Sequence, residues 1–210
     1  MYKKLFTIII CVFFLVGCNA TNINDLSLTE IVDSSLETES KSYNTNNKGY
    51  RYYLPTEFEI TKDDDYVQVL NSHGDTYYLN IDVVSYYYKN KITTEHKLDD
   101  YEYYTFESND KFGYLRITQN NEDFFVELCY NYAIIEVEVK EDNIKYAVSR
   151  GMTILNSIKY NDLVIQKHIN NNSLETSETL YNIPEPKNKD ESKNVLEYID
   201  EYDENKGEED

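Results

Sequence analysis

Thiols, imidazoles and clustered carboxylates are the side chains that could do chemistry in this chain of 210 residues, and they are few and scattered. The three histidines, His73, His96 and His168, fall in a turn cluster, a polar connection and a late polar stretch. No two of them have the short spacing at which imidazoles share a metal ion. Asp63-Asp64-Asp65 is the one dense carboxylate run of the body. It could hold Ca²⁺ weakly, but it lacks the alternating ligands and the glycine of an EF-hand loop. A polar turn between strands is the simpler reading. Of the three cysteines, Cys129 closes the strand-like run Phe124-Phe125-Val126-Glu127-Leu128-Cys129. It reads as a small buried thiol, because no local signature of a nucleophile surrounds it. Gly-x-Ser-x-Gly, Gly-x-Gly-x-x-Gly, P-loop and zincin patterns are missing from the sequence. Carboxylates gathered by the fold are the route to catalysis that the sequence leaves open.

Tyrosine is the unusual component, with 22 Tyr and 8 Phe against no Trp. A tyrosine ring has an apolar body and a polar tip, which suits protein interfaces and sugar stacking. Strand composition in an AT-rich genome is the plain alternative. The stretch Thr76 to Tyr88 reads as one long strand. Leu79, Ile81, Val83 and Tyr87 alternate on one face, and Tyr78, Val84, Tyr86 and Tyr88 on the other. Tyr78, Tyr86 and Tyr88 are therefore the candidate binding face. A strand apolar on both faces is usually covered on both, so these rings serve either a partner or the core.

The first eighteen residues carry a different chemistry. Lys3 and Lys4 precede an unbroken apolar run, Leu5 to Val16, which ends in Leu15-Val16-Gly17-Cys18. The run is too short for a comfortable membrane span, and a short apolar region ending in small residues is the pattern of a cleaved secretory signal. Leu15-Val16-Gly17-Cys18 resembles a bacterial lipobox. The resemblance implies a signal peptide at 1–17, cleavage before Cys18, and a thioether-linked diacylglyceryl group on the Cys18 thiol. Two acyl chains meet the requirement for stable anchoring. That lipid is the only cofactor expected; no metal is. Loss of Lys3 and Lys4 with the signal would take the formal net charge from −19 to −21. A chain so acidic repels nucleic acid and anionic head groups. No later apolar run approaches membrane length, so a soluble body on the outer face of the cell membrane is expected. Cys129 would then have no thiol with which to pair, and stability must come from a true core.

The elements that must position these residues fall into stretches. Residues 18–48 form a polar tether, in which Leu26, Leu28, Ile31, Val32 and Leu36 mark a short helix capped by Ser27 or Thr29. Residues 49–165 hold nearly all the dense apolar pattern. Strands are expected at Gly49–Leu54, Tyr66–Leu70 and Thr76–Tyr88, then at Tyr101–Glu107, Phe112–Thr118, Asp123–Tyr130 and Ala133–Val139. In the last of these, Ile135, Val137 and Val139 face inward, against Glu136 and Glu138. Short polar connections favour antiparallel pairing in a meander. From Asp142 the period changes, and Ile144, Ala147, Val148, Gly151, Met152, Leu155 and Ile158 trace an amphipathic helix. Residues 166–210 form a polar and acidic tail with a short amphipathic helix at Val195–Tyr202.

The fold class is thus α+β: an antiparallel meander of about six to seven strands with an N-terminal and a C-terminal helix packed on it. Gly-Tyr-x-Tyr-Tyr-x-Pro, the Tyr-rich meander and the closing Ile-Leu-Asn-Ser-Ile-Lys-Tyr together resemble a small lipoprotein of low-GC Gram-positive bacteria. The order of elements over 49–165 is similar to the Mog1/PsbP-like α/β/α sandwich, which implies a sheet held between two helices and a non-enzymatic assembly or adaptor role. No site residue comes with that resemblance. The expected function is a lipid-anchored, non-catalytic binding or adaptor protein of the cell envelope, whose partner is another envelope protein or a cell-wall component. A solute-binding subunit or a carboxylate-dependent hydrolase is the alternative.

Overall fold

Six strand-to-strand turns of only two residues each connect the strands of the described residues. The computed structural model describes residues 22–38 and 42–172. The signal, Cys18 and the tail helix expected at Val195–Tyr202 lie outside them. In chain order the elements are α1 (Leu28–Glu37), β1 (Thr45–Asn47), β2 (Tyr50–Tyr52), β3 (Glu59–Asp64), β4 (Val67–Ser72), β5 (Asp75–Ile81), α2 (Val83–Tyr88), β6 (Asp100–Ser108), β7 (Lys111–Asn120), β8 (Asp123–Tyr130), β9 (Ala133–Lys140), α3 (Ile144–Ser157), β10 (Lys159–Tyr160) and α4 (Asp162–Asn172). The main sheet runs β3-β4-β5-β9-β8-β7-β6, and every pairing in it is antiparallel. The pairs Ser72↔Asp75, Ser108↔Lys111, Asn120↔Asp123 and Tyr130↔Ala133 each leave two residues in the turn. Such tight turns need positive φ, which His73, Gly74, Asn109, Asp110, Asn131 and Tyr132 supply.

One face of the sheet holds the core. Leu79, Leu115, Ile117, Val126, Leu128, Ile135 and Val137 point from it toward Ala147, Val148, Met152 and Leu155 of α3. Each large side chain buried in this way contributes roughly 1.5–3 kcal/mol. Gly151 lets α3 come close to the sheet, since a Cβ there would sit 2.6 Å from Leu128 Cδ1. Helix α1 begins in a capping box: Ser27 Oγ accepts from the Glu30 amide at 3.2 Å, and the Ser27 amide donates to Glu30 at 2.7 Å. It buries Ile31 and Val32 beside α3. Asn156 of α3 donates to Ser35 O at 2.9 Å, and Tyr104 of β6 donates to Asp33 at 3.0 Å. So α1 and α3 lie side by side on the same face, whereas the resemblance implies a sheet between two helices. The small sheet β1-β2-β10 packs Tyr50 and Tyr52 into this same core.

Three expectations need correction. The strand expected over Thr76–Tyr88 ends at Ile81, and Asp82 then caps α2 by accepting from the Ser85 amide at 2.8 Å. Asp63 and Asp64 end a strand, β3, with only Asp65 in the turn; Asp63 accepts from Asn47 and Gln68, and Asp65 pairs with Lys48 at 2.7 Å. The elements also run past 49–165 at both ends, with β1 before it and α4 beyond it.

Candidate functional site

The second face of the main sheet carries the buried charge. Strand alternation places Arg116 of β7 opposite Glu127 of β8, and Glu127 opposite Glu136 of β9. Cross-strand neighbours like these have Cβ atoms about 4.5–5.5 Å apart. The connection 89–99 lies over this part of the face. Tyr103 donates to Thr94 O at 3.1 Å, Arg116 Nη1 donates to Thr94 Oγ1 at 3.5 Å, and the Lys97 amide donates to Asp100 at 2.7 Å. His96 sets its ring edge-on to Tyr103, with centroids 4.9 Å apart. Beneath this cover Arg116 Nε donates to Asp100 Oδ1 at 2.9 Å, in a pair almost closed to solvent. Glu127 accepts a short hydrogen bond from the Tyr114 hydroxyl.

Charge here is under-compensated. Arg116 already serves Asp100, which leaves Glu127 and Glu136 side by side and buried. Burial raises the pKa of Glu127, while the Tyr114 hydrogen bond and Arg116 oppose that rise. Glu136 accepts no side-chain hydrogen bond from any described residue. Burial, and then the neighbouring Glu127 charge, push its pKa up to about 7. Burial and the charge of Glu136 raise Tyr78 as well. Glu136 was expected to point to solvent, yet the structure encloses it, because both faces of β9 are covered from Ala133 to Val137, while Glu138 and Lys140 are exposed. A cue was present: Phe125, Cys129 and Ile134 share the strand parity of Glu127 and Glu136.

The cover stops short of β4 and β5. There Val67 is 40% exposed, and Val69, Tyr78 and Asn80 are half-exposed. Register places Tyr78 between Val69 and Glu136, and Asn80 between Val67 and Ile134. These side chains form a half-exposed strip of two valines, a tyrosine and an asparagine, with the buried Glu136 beside it.

The structure separates the three candidate tyrosines. Tyr78 lies on this strip. Tyr86 is on α2 at the end of the sheet, stacked on Tyr160 with centroids 4.0 Å apart, and its hydroxyl donates to Asp162 at 2.5 Å. Burial and that carboxylate push its pKa up to about 12. Tyr88 is 59% exposed on α2 and packs edge-on against Tyr87. The expected single face dissolves because the chain turns helical after Ile81. Cys129 is buried, and burial pushes its thiol pKa well up, as suits an inert packing residue. The histidines do not meet: His73 packs on Tyr146, His96 on Tyr103 and His168 on Tyr66. Among the described residues no group of three or more His, Cys, Asp or Glu could hold a metal ion, and no helix is long and apolar enough to cross a membrane.

No protein-family model matches the chain, and no curated protein matches its sequence.

Proposed function

We propose that this protein is a lipid-anchored binding module of the cell envelope, which captures an envelope protein on the β4–β5 strip of its second sheet face. One observation carries the reading: the sheet's second face is buried at Tyr114, Arg116, Glu127 and Cys129 of β7 and β8, and is left half-open over the patch of Val67, Val69, Tyr78 and Asn80. A tyrosine with valine neighbours on a rigid sheet orders little on binding, which favours affinity. The tether at 18–48 and the lipid on Cys18 would hold the module at the outer membrane surface.

Two variants test the reading. Cys18→Ala should abolish incorporation of a fatty-acid analogue and leave the precursor uncut; retained label contradicts the anchor. Val69→Ser with Tyr78→Ser should leave the fold intact and weaken capture of the cross-linked envelope partner by at least about tenfold, since a hot-spot ring is worth about 2 kcal/mol or more. Undiminished capture contradicts the strip.

The Glu127–Glu136 pair favours a second reading, a hydrolase working through paired carboxylates. Against it, Glu127 is held by Tyr114, and neither glutamate lines the cleft beside Lys111 and Asn156 or the one beside Phe112 and Tyr132.

A further inference from the structure

At the end of the second face, under residues 89–92, lies a cleft of about 280 Å³. Ile92, Phe112, Cys129 and Tyr132 form its apolar lining, and Lys89, Lys91 and Asp110 stand around it. Three of these seven residues, Lys89, Asp110 and Tyr132, have positive φ. Asp tolerates that region; a bulky ring does not. Tyr132 is the second central residue of a two-residue hairpin turn, with Asn131 first, at φ values of 53° and 64°. Glycine is the usual occupant of that second position. The backbone is fixed from several sides: the Asp82 amide donates to Tyr132 O at 2.9 Å, Asn131 Nδ2 to Ile158 O at 3.1 Å, and the Tyr160 hydroxyl to Asn131 O at 2.7 Å. The chain thus keeps a strained tyrosine where glycine would relax the turn, and Tyr132 lines the cleft. Strain of this kind gathers where a ligand is held.

The cations are placed as well. Lys89 caps α2 in the left-handed region, at φ 59°. Its ammonium lies 3.8 Å from the centroid of the Tyr86 ring and 5.9 Å from that of Tyr132, and it makes no ion pair with a described residue. Lys91 sits 5.3 Å over Phe112 and 3.6 Å from Glu107. An ammonium set on aromatic rings, with no ion pair to any described residue, offers a cation that an anion can meet. Lys91 is balanced by Glu107, and Asp110 adds a negative charge, so a multiply charged anion is disfavoured.

The geometry points to a binding site for a small organic monocarboxylate with an aromatic or branched apolar body, its carboxylate on Lys89 and its body against Ile92, Phe112 and Tyr132. The site is separate from the β4–β5 strip and does not depend on that reading. Three probes that share one body test it: phenylacetate, phenylacetamide and phenethylamine, titrated into the ¹⁵N-labelled protein. Phenylacetate should shift the amides of Lys89, Ile92, Phe112 and Tyr132 in a saturable way, and the neutral and cationic analogues should bind at least tenfold more weakly. Lys89→Gln should remove the preference for the anion. Tyr132→Gly should keep or raise the melting temperature, since it relaxes the turn, and still weaken phenylacetate at least fivefold. Equal response to all three probes, no saturable shift at these amides, or full affinity in Tyr132→Gly would overturn the proposal.

Discussion

Glu136 shows what one residue does to the balance of this domain. The residue is about 8% exposed and lies beside Glu127 and Tyr78, so its charged form is disfavoured. The pKa of the folded state is about 7, against an ordinary value of 4.5. Between those values the folded state holds the extra proton, so stability is fully present below about pH 4.5 and is lost as pH rises through about 7. Substitution Glu136→Gln should flatten this dependence. At pH 8 the variant should be more stable than the parent by up to roughly 3 kcal/mol, at about 1.36 kcal/mol per pH unit, and the two should converge near pH 4.5. Urea unfolding at both pH values checks it; parallel curves would mean that Glu136 is solvated. Tyr86 and Tyr88 differ in the same residue-level way. Tyr86→Ser should cost about 2–3 kcal/mol through loss of the Tyr160 stack and the Asp162 hydrogen bond. Tyr88→Ser should stay within about 0.5 kcal/mol, as thermal melts would show. Alternation told which residues share a face but not that residues 89–99 would cover the second one. That cover is built from polar residues whose contacts with Arg116, Tyr103 and Asp100 join distant parts of the chain.

Among elements, β6 to β9 and α3 were the most legible, because period-2 and period-3.6 patterns there are long and interrupted by turn residues. Helix α2 was not. Val83-Val84-Ser85-Tyr86-Tyr87-Tyr88 is rich in β-branched and aromatic residues, which favour strands, and it continues the alternation of β5. The counter-signal was Asp82 three residues before Ser85, a capping arrangement. Packing of Tyr86 against Tyr132 and Tyr160 then outweighs propensity. Strand β3 was missed because Glu59-Ile60-Thr61-Lys62-Asp63-Asp64 is an exposed, charged edge with one irregularity in its register, a sequence that protects an edge and hides its pattern. Helix α1 is as integral as any strand. A fragment starting at Gly49 loses α1 and β1 and uncovers the side of α3 that Ile31 and Val32 bury. Relative to residues 22–172, residues 49–172 should be less stable by about 3–6 kcal/mol, read as a lower urea midpoint. Equal midpoints would make α1 a passenger.

As a whole molecule, the described chain gives one face of its main sheet to a core and shares the other between an enclosed acid pair, an apolar cleft with a ring-braced lysine, and an open strip. The strong acidity of the sequence would disfavour acidic surfaces and favour basic ones as partners of the proposed module. The sequence showed the fold class and the tyrosine content plainly. It did not show which tyrosine stands on an open surface, because that depends on where the cover ends. The central claim is capture of an envelope protein on the β4–β5 strip, and site-directed photocrosslinking in intact cells tests it most directly. Benzoylphenylalanine at Val69 or Tyr78 should give one discrete adduct with an envelope protein, and the same residue at Glu122, in an exposed turn, should give none. No adduct from either strip position, or the same adduct from all three, would contradict the account.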